Sequence, residues 1–360
     1  MEPFDFVEKL REHPERARAA VNGDLARSLA TVFLDLAAGA CNHACGFCDG
    51  TLYPFEPARF TTGRLLALAD EIAALGADSA IFAGENSEPT LHPGFVPFAG
   101  KLLRLGLRLG LYTNGTRMDH RLAVLGGFAF VRVSLDAGTE ATHRRVHGAA
   151  PGDFGRLRQF LVRARDAGTA LVGASFVVLP ENVHEIAAAA RFVRGAGADF
   201  LEVKPVYGPR YSFDAARFRS LLPALRRELA AARALAGPGF RVLLNNQLRD
   251  VLEGEAPVEG LTALPLARPC LTSRLRLVVS PRGCWLCPPH RGQEEWSLGD
   301  ARTASLQDLW HGARHRRLLA EPCALRCPYH AQNEALRALQ SGVPLPGPGA
   351  AAPVAQTGFL

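Results

Sequence analysis

The sequence lacks any long apolar run. None of its 360 residues falls in a stretch approaching the roughly 20 consecutive apolar residues of a membrane-spanning helix. No membrane partner is therefore expected. Residues 1–5 are acidic in character and no apolar stretch follows them, which argues against a signal peptide and predicts a cytoplasmic enzyme.

Lysine is almost absent, since only Lys9, Lys101 and Lys204 of the 41 basic residues are lysines. The arginines are scattered and no stacking aromatics interleave with them. A general arginine bias with solvated helix faces explains the net charge of +6 best. The second interpretation is a positively charged entrance to a site that binds an anionic substrate. Nucleic acid is a distant third, so no nucleic-acid partner is predicted.

Hydrophobic residues make up 48% of the chain and charged residues 21%, which is enough to bury a core and excludes global disorder. Eight cysteines form two groups, one at 41–48 and one at 270–327. A disulfide scaffold would be shorter and secreted. Reduced cysteines in close groups indicate a metal site or catalysis.

β-type runs alternate with helical stretches rich in alanine, leucine and arginine. Six such units in succession predict an α/β fold with a parallel sheet or barrel. Arg132, Ser134 and Asp136 share one face of a predicted strand, as do Glu202 and Lys204. A sheet covered on both faces would be apolar throughout. The polar face therefore predicts a barrel lumen that holds a ligand. The predicted strands are Thr31–Ala38, Ser79–Ala83, Leu107–Thr113, Phe128–Leu135, Ala170–Leu179 and Asp199–Val206. A helix is predicted near 118–126, between the third and fourth of these strands.

The chain is divided by this pattern into a helical lead-in (1–30), a βα region (31–237), a small α+β region (238–341) and a disordered tail (342–360). Within the third part, strands at 241–244 and 274–280 are predicted, followed by a helix at 305–320, a tight loop at 323–327 and a closing helix at 331–340. The tail is rich in proline, glycine and alanine.

Cys41, Cys45 and Cys48 directly follow the first predicted strand. Three thiolates at this spacing can hold one face of a cubane iron–sulfur cluster and leave one iron open to a small molecule. The alternative is a zinc site with His43 as a fourth ligand. Against zinc, no second ligand pair follows at the spacing of a zinc knuckle.

This loop, with the aromatic Phe47 before its third cysteine, resembles the cluster loop of the radical S-adenosylmethionine (SAM) superfamily. The resemblance covers roughly residues 31–210 and implies a partial (β/α)6 TIM-like barrel. It also implies a [4Fe-4S] cluster that binds SAM and cleaves it reductively to a 5′-deoxyadenosyl radical. An external electron donor such as flavodoxin or ferredoxin is implied as a partner.

The resemblance also suggests which residues contact SAM. Glu88-Pro89 is taken as the match to the family's Gly-Gly-Glu-Pro motif, with Glu85 as the fallback. The sequence departs from the family pattern at Asn86-Ser87 and at His147-Gly148. Turns and helix caps explain several of these positions equally well when each is taken alone. The predicted SAM-binding residues are Phe47, Glu85, Glu88, Asn114, Ser134, Asp136 and Asn182.

The second cysteine group resembles the auxiliary-cluster extension of the same superfamily, called SPASM or, when shortened, Twitch. This resemblance assigns Cys270, Cys287, Cys323 and Cys327 to a second [4Fe-4S] cluster and leaves Cys284 over. A structural zinc site with four cysteine ligands is the alternative.

Three residues are candidate catalytic groups: Lys204, Tyr207 and Cys284. Lys204 can hold a carboxylate or phosphate, or act as an acid or base. It can equally form a structural ion pair with Glu202 or Asp136. Cys284 is interpreted first as an inert buried residue, second as a hydrogen-atom donor and third as a replacement ligand for Cys287.

The preferred function is a radical SAM enzyme that oxidises, epimerises, decarboxylates or rearranges a small polar substrate such as a sugar, aminocyclitol, nucleoside or sugar acid. The preference rests on the lack of room for a separate peptide-binding domain ahead of the barrel. The second hypothesis is a maturase of a ribosomally made peptide. The third is a non-catalytic iron–sulfur or zinc-binding protein.

Overall fold

A computed structural model describes residues 6–48, 56–117, 120–206, 214–254, 256–258, 263–325, 327 and 329–345. The candidate residue Tyr207 and the predicted tail beyond residue 345 lie outside this range. No helix within it is long and apolar enough to span a membrane.

Parallel strands separated by helical segments follow one another through the first two thirds of the chain, as the pattern predicts. In chain order the elements are α1 (Phe6–Glu12), α2 (Pro14–Asn22), α3 (Leu25–Ser28), β1 (Thr31–Ala38), β2 (Ala58–Arg59), α4 (Thr62–Ala74), β3 (Ser79–Glu85), α5 (Phe95–Arg104), β4 (Arg108–Thr113), β5 (Phe130–Ser134), α6 (Glu140–His147), α7 (Asp153–Asp166), β6 (Val172–Val178), α8 (Ile186–Gly195), β7 (Phe200–Pro205), α9 (Ala215–Arg233), β8 (Arg241–Leu244), α10 (Asn246–Glu253), β9 (Ala263–Pro269), β10 (Arg276–Ser280), β11 (Gly283–Trp285), β12 (Ser297–Gly299), α11 (Leu306–His311), α12 (Ala313–Ala320), β13 (Pro322–Leu325) and α13 (His330–Gln340).

The chain forms two compact units. The first comprises residues 1–40, 55–110 and 264–360, and the second comprises residues 41–54 and 111–263. In the first unit, β1 pairs in parallel with β3 on one side and with β10 on the other. The antiparallel hairpin of β10 and β11 and then β12 extend this sheet. Strands β9 and β13 form a separate pair.

The N-terminal helices of the first unit pack against its C-terminal part. Leu10, Ala17 and Ala20 of α1 and α2 are fully buried in one cluster with Leu275 and with Leu336 of α13. Burial of apolar side chains is the main stabilising term in folding. The lead-in predicted from the sequence is therefore a structural part of the unit that holds the C-terminal cysteines.

In the second unit, β5, β6, β7 and β8 run parallel in that order. The register places Ser134, Ser175 and Glu202 side by side on neighbouring strands. Residues that are in register on parallel strands point to the same side of the sheet. A row of polar side chains thus crosses three strands, which fits the predicted polar face.

The α/β fold class with parallel strands is confirmed, and three local predictions are corrected. The βα region, predicted to end at residue 237, extends to β8. Helix α9 returns the chain so that β8 pairs in parallel with β7. The predicted helix at 118–126 is a 3₁₀ helix at His120–Gly127 in its described part. The predicted tight loop at 323–327 begins as strand β13, which pairs with β9.

The predicted helix at 305–320 is two helices that meet at Gly312. Gly312 has an extended conformation, with φ of −69° and ψ of 159°. A Cβ at this position would lie 2.5 Å from the carbonyl oxygen of Asp308. The apolar periodicity continues through the break, so it did not reveal the backbone turn.

Candidate active site

The first cysteine group lies on a loop that follows β1 and is held by backbone contacts within the second unit. Ala44 N donates to the carbonyl oxygen of His147 at 2.9 Å, and Gly46 N donates to that of Val146 at 3.3 Å. Gly148 has a left-handed φ of +57°, and a Cβ there would lie 2.9 Å from Ala44 O. A glycine at 148 therefore lets the end of α6 approach the loop closely.

Asn114 joins the loop after β4 to the cysteine loop. Its Nδ2 donates to Asn42 Oδ1 at 2.8 Å and lies 3.9 Å from Cys41 Sγ. Its Oδ1 accepts from the backbone N and the hydroxyl of Thr116. Asn42 Nδ2 in turn donates to Thr116 Oγ1 at 2.9 Å. This closed network fixes the start of the cysteine loop.

Histidines surround the middle of the loop. His147 Nδ1 lies 3.1 Å from Cys45 Sγ, and His43 Nε2 lies 3.3 Å from Asp153 Oδ2. His143 is completely buried, with its ring centroid 4.7 Å from that of His147. Burial, together with the neighbouring His147 and His43, lowers the pKa of His143 to about 3. This cluster was not anticipated from the sequence, because its members lie far apart along the chain.

The three cysteines of the loop fit a group that carries several positive metal ions. Burial raises the pKa of the Cys45 thiol, and the neighbouring Cys48, Asp136 and Cys41 raise it further. A metal ligand must be a thiolate. Three thiolates this close are costly on their own, and bound metal removes that cost.

The geometry favours a cluster over a single zinc ion at these cysteines. A tetrahedral zinc site with Zn–S bonds of about 2.3 Å brings its sulfur atoms within about 4 Å of one another. Within the described ranges, the only group with all ligand atoms within 4.8 Å is His43, Cys45 and His147. The sulfurs of Cys41 and Cys48 lie outside that group. A cubane, which takes each cysteine on a different iron, allows such wider spacing.

Glu88 is placed in the first unit, at the N-cap of a 3₁₀ helix over Pro89–Leu91. Its Oε1 accepts from Thr90 N at 3.1 Å and from Thr90 Oγ1 at 2.6 Å. The preceding turn is tight, since a Cβ on Gly84 would lie 2.0 Å from Ser87 O. One carboxylate oxygen therefore organises the turn. The side chain of the fallback residue, Glu85, lies outside the described part of the structure.

Asp136 and Asn182, both predicted to contact SAM, are buried and bonded to the backbone around them. Asp136 has a left-handed φ of +49°, and its Oδ1 accepts from Val177 N at 2.6 Å. Asn182 Nδ2 donates to the carbonyl oxygens of Asp136 and Val177, and its Oδ1 accepts from Leu179 N. These contacts hold the loop after β5 in place. Ser134 lies at the end of β5 and is half-buried.

The polar face of the second unit carries an ion pair between Arg132 and Glu202. The sequence analysis considered Glu202 as a partner of Lys204 instead. Arg132 donates to Glu202, and the Arg132 guanidinium lies 3.9 Å from the centroid of the Tyr112 ring. Lys204 is two residues beyond Glu202 on β7 and is half-buried. Glu202 thus has an arginine partner, which weakens the interpretation of Lys204 as only its counterion.

The four cysteines assigned to the second cluster line one cavity of about 270 Å³ in the first unit, together with His290 and Trp296. Burial raises the pKa of the Cys287 thiol well above its usual range, and Cys270, Cys327 and Cys323 raise it further. Burial likewise raises the pKa of Cys327 to about 12. The four sulfurs do not form a tight single-ion group among the described residues, so the cavity suits a cubane better than zinc.

Two basic side chains of the first unit border these cysteines. Arg276 is fully buried, donates to Gln332, and places its guanidinium 3.6 Å from the centroid of the Tyr329 ring. His290 stacks on Trp296 with ring centroids 4.0 Å apart, and its Nε2 lies 3.6 Å from Cys323 Sγ. A buried guanidinium remains charged, so Arg276 offsets negative charge on nearby thiolates.

Cys284 does not line this cavity. It lies on β11, has no exposed surface, and is paired in register with Val279. Burial raises the pKa of its thiol, and Asp300 and Glu71 also contribute. Its surroundings favour the inert role over the hydrogen-donor and ligand roles, and all three stay predictions.

Comparison with known proteins identifies a domain that contains the first cysteine loop. Residues 37–193, which include all three cysteines of the first loop, match the family model described as the radical SAM superfamily. This match identifies a radical SAM domain within the chain. The resemblance stated from the sequence is thus confirmed, and with it SAM and a [4Fe-4S] cluster as the cofactors of this enzyme class.

Two curated radical SAM relatives align with less than half of the chain. The Fe-coproporphyrin III synthase of Methanosarcina barkeri is 30% identical over 152 residues, covering 41% of this chain and 37% of the relative. The tungsten-containing aldehyde ferredoxin oxidoreductase cofactor-modifying protein of Pyrococcus furiosus is 26% identical over 170 residues, covering 45% and 48%. The chain therefore matches less than half the length of either relative.

Solved structures share the fold over most of the chain. SuiB of Streptococcus suis, bound to its precursor peptide SuiA, superposes with a TM-score of 0.62 at 13% identity, covering 84% of this chain and 70% of that one. Native anSMEcpe with bound AdoMet superposes with a TM-score of 0.57 at 16% identity, covering 88% and 98%. Identity this low shows the fold alone.

Proposed function

We propose that this radical SAM enzyme abstracts a hydrogen atom from a small polar substrate. The observation that carries the proposal is the loop of Cys41, Cys45 and Cys48, half-buried and pinned by Asn114 and by the end of α6. When bound, the cluster and SAM supply the electron and the carbon radical that remove the hydrogen. The protein residues hold, orient and shield these groups.

The substrate class is argued from the polar side chains of the second unit. Ser134, Ser175 and Glu202 form a row across three strands, and Arg132 and Lys204 add positive charge to the same face. Hydroxyl, carboxylate and cationic groups together suit a hydroxylated molecule that carries an acidic group. A sugar acid or a phosphorylated sugar has both features. Either requires a lysine or arginine near its anionic group.

A second cluster in the cavity of Cys270, Cys287, Cys323 and Cys327 completes the proposed enzyme. Four thiolates leave no open iron, so this cluster would transfer electrons or support the fold without binding SAM. The charge of the buried Arg276 and the close approach of His290 to Cys323 suit an anionic cluster there.

Maturation of a ribosomally made peptide is the second candidate. It is favoured by the structures that share the fold, because SuiB was solved with its precursor peptide and anSMEcpe with the Kp18Cys peptide. The outcome of the reaction, whether oxidation, epimerisation, decarboxylation or rearrangement, depends on the substrate in either case.

One experiment separates the two candidates. Anaerobically reconstituted and reduced enzyme is incubated with SAM and either the small-molecule fraction or the peptide fraction of a cell extract. 5′-Deoxyadenosine and the mass of every consumed compound are then followed. We expect stimulation by the small-molecule fraction. Stimulation by the peptide fraction alone would establish the second candidate, and absence of 5′-deoxyadenosine under all conditions would exclude both.

Glu88→Gln tests the predicted contact with the SAM amino group. Glutamine keeps the carbonyl oxygen that can accept from Thr90 but removes the charge. We expect SAM binding to weaken by about 1.5–3 kcal/mol, the usual contribution of a hydrogen bond to a charged group, while iron content stays unchanged. SAM affinity is measured by equilibrium dialysis. If Glu85→Gln produces this loss and Glu88→Gln does not, the motif match shifts by three residues.

Lys204→Met tests the substrate role of the lysine, and Lys101→Met is its matched control. Lys101 of α5 forms an ion pair with Asp70 of α4 at 2.6 Å and serves no proposed substrate role. We expect Lys204→Met to raise the substrate KM at least tenfold or to stop product formation, while 5′-deoxyadenosine still forms without coupling to product. We expect Lys101→Met to keep the wild-type ratio of product to 5′-deoxyadenosine. Joint loss of folding and SAM cleavage in Lys204→Met would show a structural ion pair instead.

A further inference from the structure

His147 is held against the SAM-cluster loop through both of its ring nitrogens. It is the last residue of α6, and its side chain is 1% exposed. Nδ1 lies 3.1 Å from Cys45 Sγ. Nε2 lies 3.2 Å from Leu135 O and 3.2 Å from Asp136 Oδ2. The imidazole thus bridges a cysteine of the cluster loop and an acidic residue after β5.

The partners decide where the hydrogens of the ring lie. A carbonyl oxygen and a carboxylate oxygen only accept hydrogen bonds, so Nε2 carries a hydrogen towards Leu135 and Asp136. A cysteine that binds iron is a thiolate and also only accepts. Nδ1 must then donate to Cys45 as well. The Asp136 carboxylate lies on the Nε2 side of the ring, 3.2 Å away.

The ring has little freedom to leave this position. The Phe47 ring meets it edge-on with centroids 5.6 Å apart, and the His143 ring lies 4.7 Å away on centroids. Its own carbonyl oxygen accepts from Ala44 N at 2.9 Å. Asp136 is fixed in turn by Val177 N and by Asn182. A hydrogen bond held by packing on this scale is oriented before any cofactor binds.

We propose that His147 is a positioning residue that donates a hydrogen bond to the cluster thiolate of Cys45 and thereby raises the reduction potential of the SAM-binding cluster. The proposal rests on the proposed function, since it requires Cys45 to be a cluster ligand. Reduction by one electron adds negative charge to the cluster and its sulfurs. A donor aimed at one of those sulfurs stabilises the reduced state more than the oxidised one, and burial strengthens the effect.

The test replaces His147 by leucine, asparagine or glutamine in the full-length, anaerobically reconstituted protein. Leucine removes the donor. Asparagine places an amide nitrogen where Nδ1 lies, while glutamine places it nearer to Nε2. Iron per chain is measured first. The midpoint potential is then measured from the electron paramagnetic resonance signal that changes when SAM is added, which separates this cluster from an auxiliary one.

We expect His147→Leu to keep its iron and to lower the ratio of reduced to oxidised cluster at least tenfold at a fixed solution potential, a shift of about 59 mV for a one-electron couple. His147→Asn restores most of the wild-type potential, and His147→Gln does not. An unchanged potential in iron-replete His147→Leu, or equal shifts in the leucine and asparagine variants, would overturn the proposal.

The donor role of His147 can also be tested if a variant fails to hold its cluster. If His147→Leu does not hold iron, the asparagine and glutamine variants are compared. The donor role is supported if His147→Asn has the wild-type potential and His147→Gln has a lower one. Equal potentials in these two variants contradict it. Loss of this cluster from all three variants would mean that His147 is needed for cluster assembly and would overturn the donor role. Failure of the proposed function appears separately, as wild-type protein that does not cleave SAM.

Discussion

We expect simultaneous replacement of Cys41, Cys45 and Cys48 by alanine to abolish formation of 5′-deoxyadenosine and to lower the iron of the reconstituted protein from about eight to about four atoms per chain. The three thiols are the only cysteines of the loop that α6 and Asn114 hold in place. Without them no open iron is available to SAM. Iron is measured by a colorimetric assay and 5′-deoxyadenosine by chromatography.

A control is needed because a zinc site could form at His43, Cys45 and His147, whose ligand atoms lie close together. Replacement of Cys41 and Cys48 alone leaves that group intact. We expect this double variant to lose SAM cleavage completely. A wild-type protein that is saturated with zinc and contains no iron, and whose zinc survives the double replacement, would contradict the cluster assignment.

We expect Cys287→Ala to lose about half of the iron, one of two clusters, and Cys284→Ser to keep all of it. Cys287 lines the cavity with Cys270, Cys323 and Cys327, and Cys284 lies on β11 outside that lining. The two residues are three positions apart, so the pair controls for general damage to the hairpin. Iron per chain and the thermal midpoint of unfolding are measured for both variants.

The three roles of Cys284 predict different results for Cys284→Ser. Full iron and most of the activity indicate an inert buried thiol. Full iron and SAM cleavage with substrate consumed but no product indicate a hydrogen-atom donor. A fall of iron by half in Cys284→Ser, with normal iron in Cys287→Ala, would exchange the two ligand assignments.

Elements with strong local signals were predicted from the sequence. The strand predicted at Thr31–Ala38 is β1, and that at Arg241–Leu244 is β8. Both are short apolar runs bounded by turns, and their period differs from that of the helices beside them. The cysteine loop was recognised because its spacing is local. The superfamily match followed from it.

Local signals failed where a distant partner determines the conformation. Cys323 lies in strand β13 because β9 supplies hydrogen-bond partners from a segment about 50 residues earlier. Gly312 interrupts a periodic apolar pattern that α11 and α12 both follow. The packing of α2 against α13 likewise joins the two ends of the chain.

The sequence by itself determined the enzyme class, since three thiols at fixed spacing after a strand are a local chemical pattern. It also determined the alternation of strands and helices, which depends on side-chain period. Only the tertiary structure decided the surroundings of those thiols. His147 was visible as a departure from the family pattern, but its contact with Cys45 spans 102 positions of the chain. Such a contact depends on how β5 and α6 pack beside the loop, and no local propensity encodes that distance.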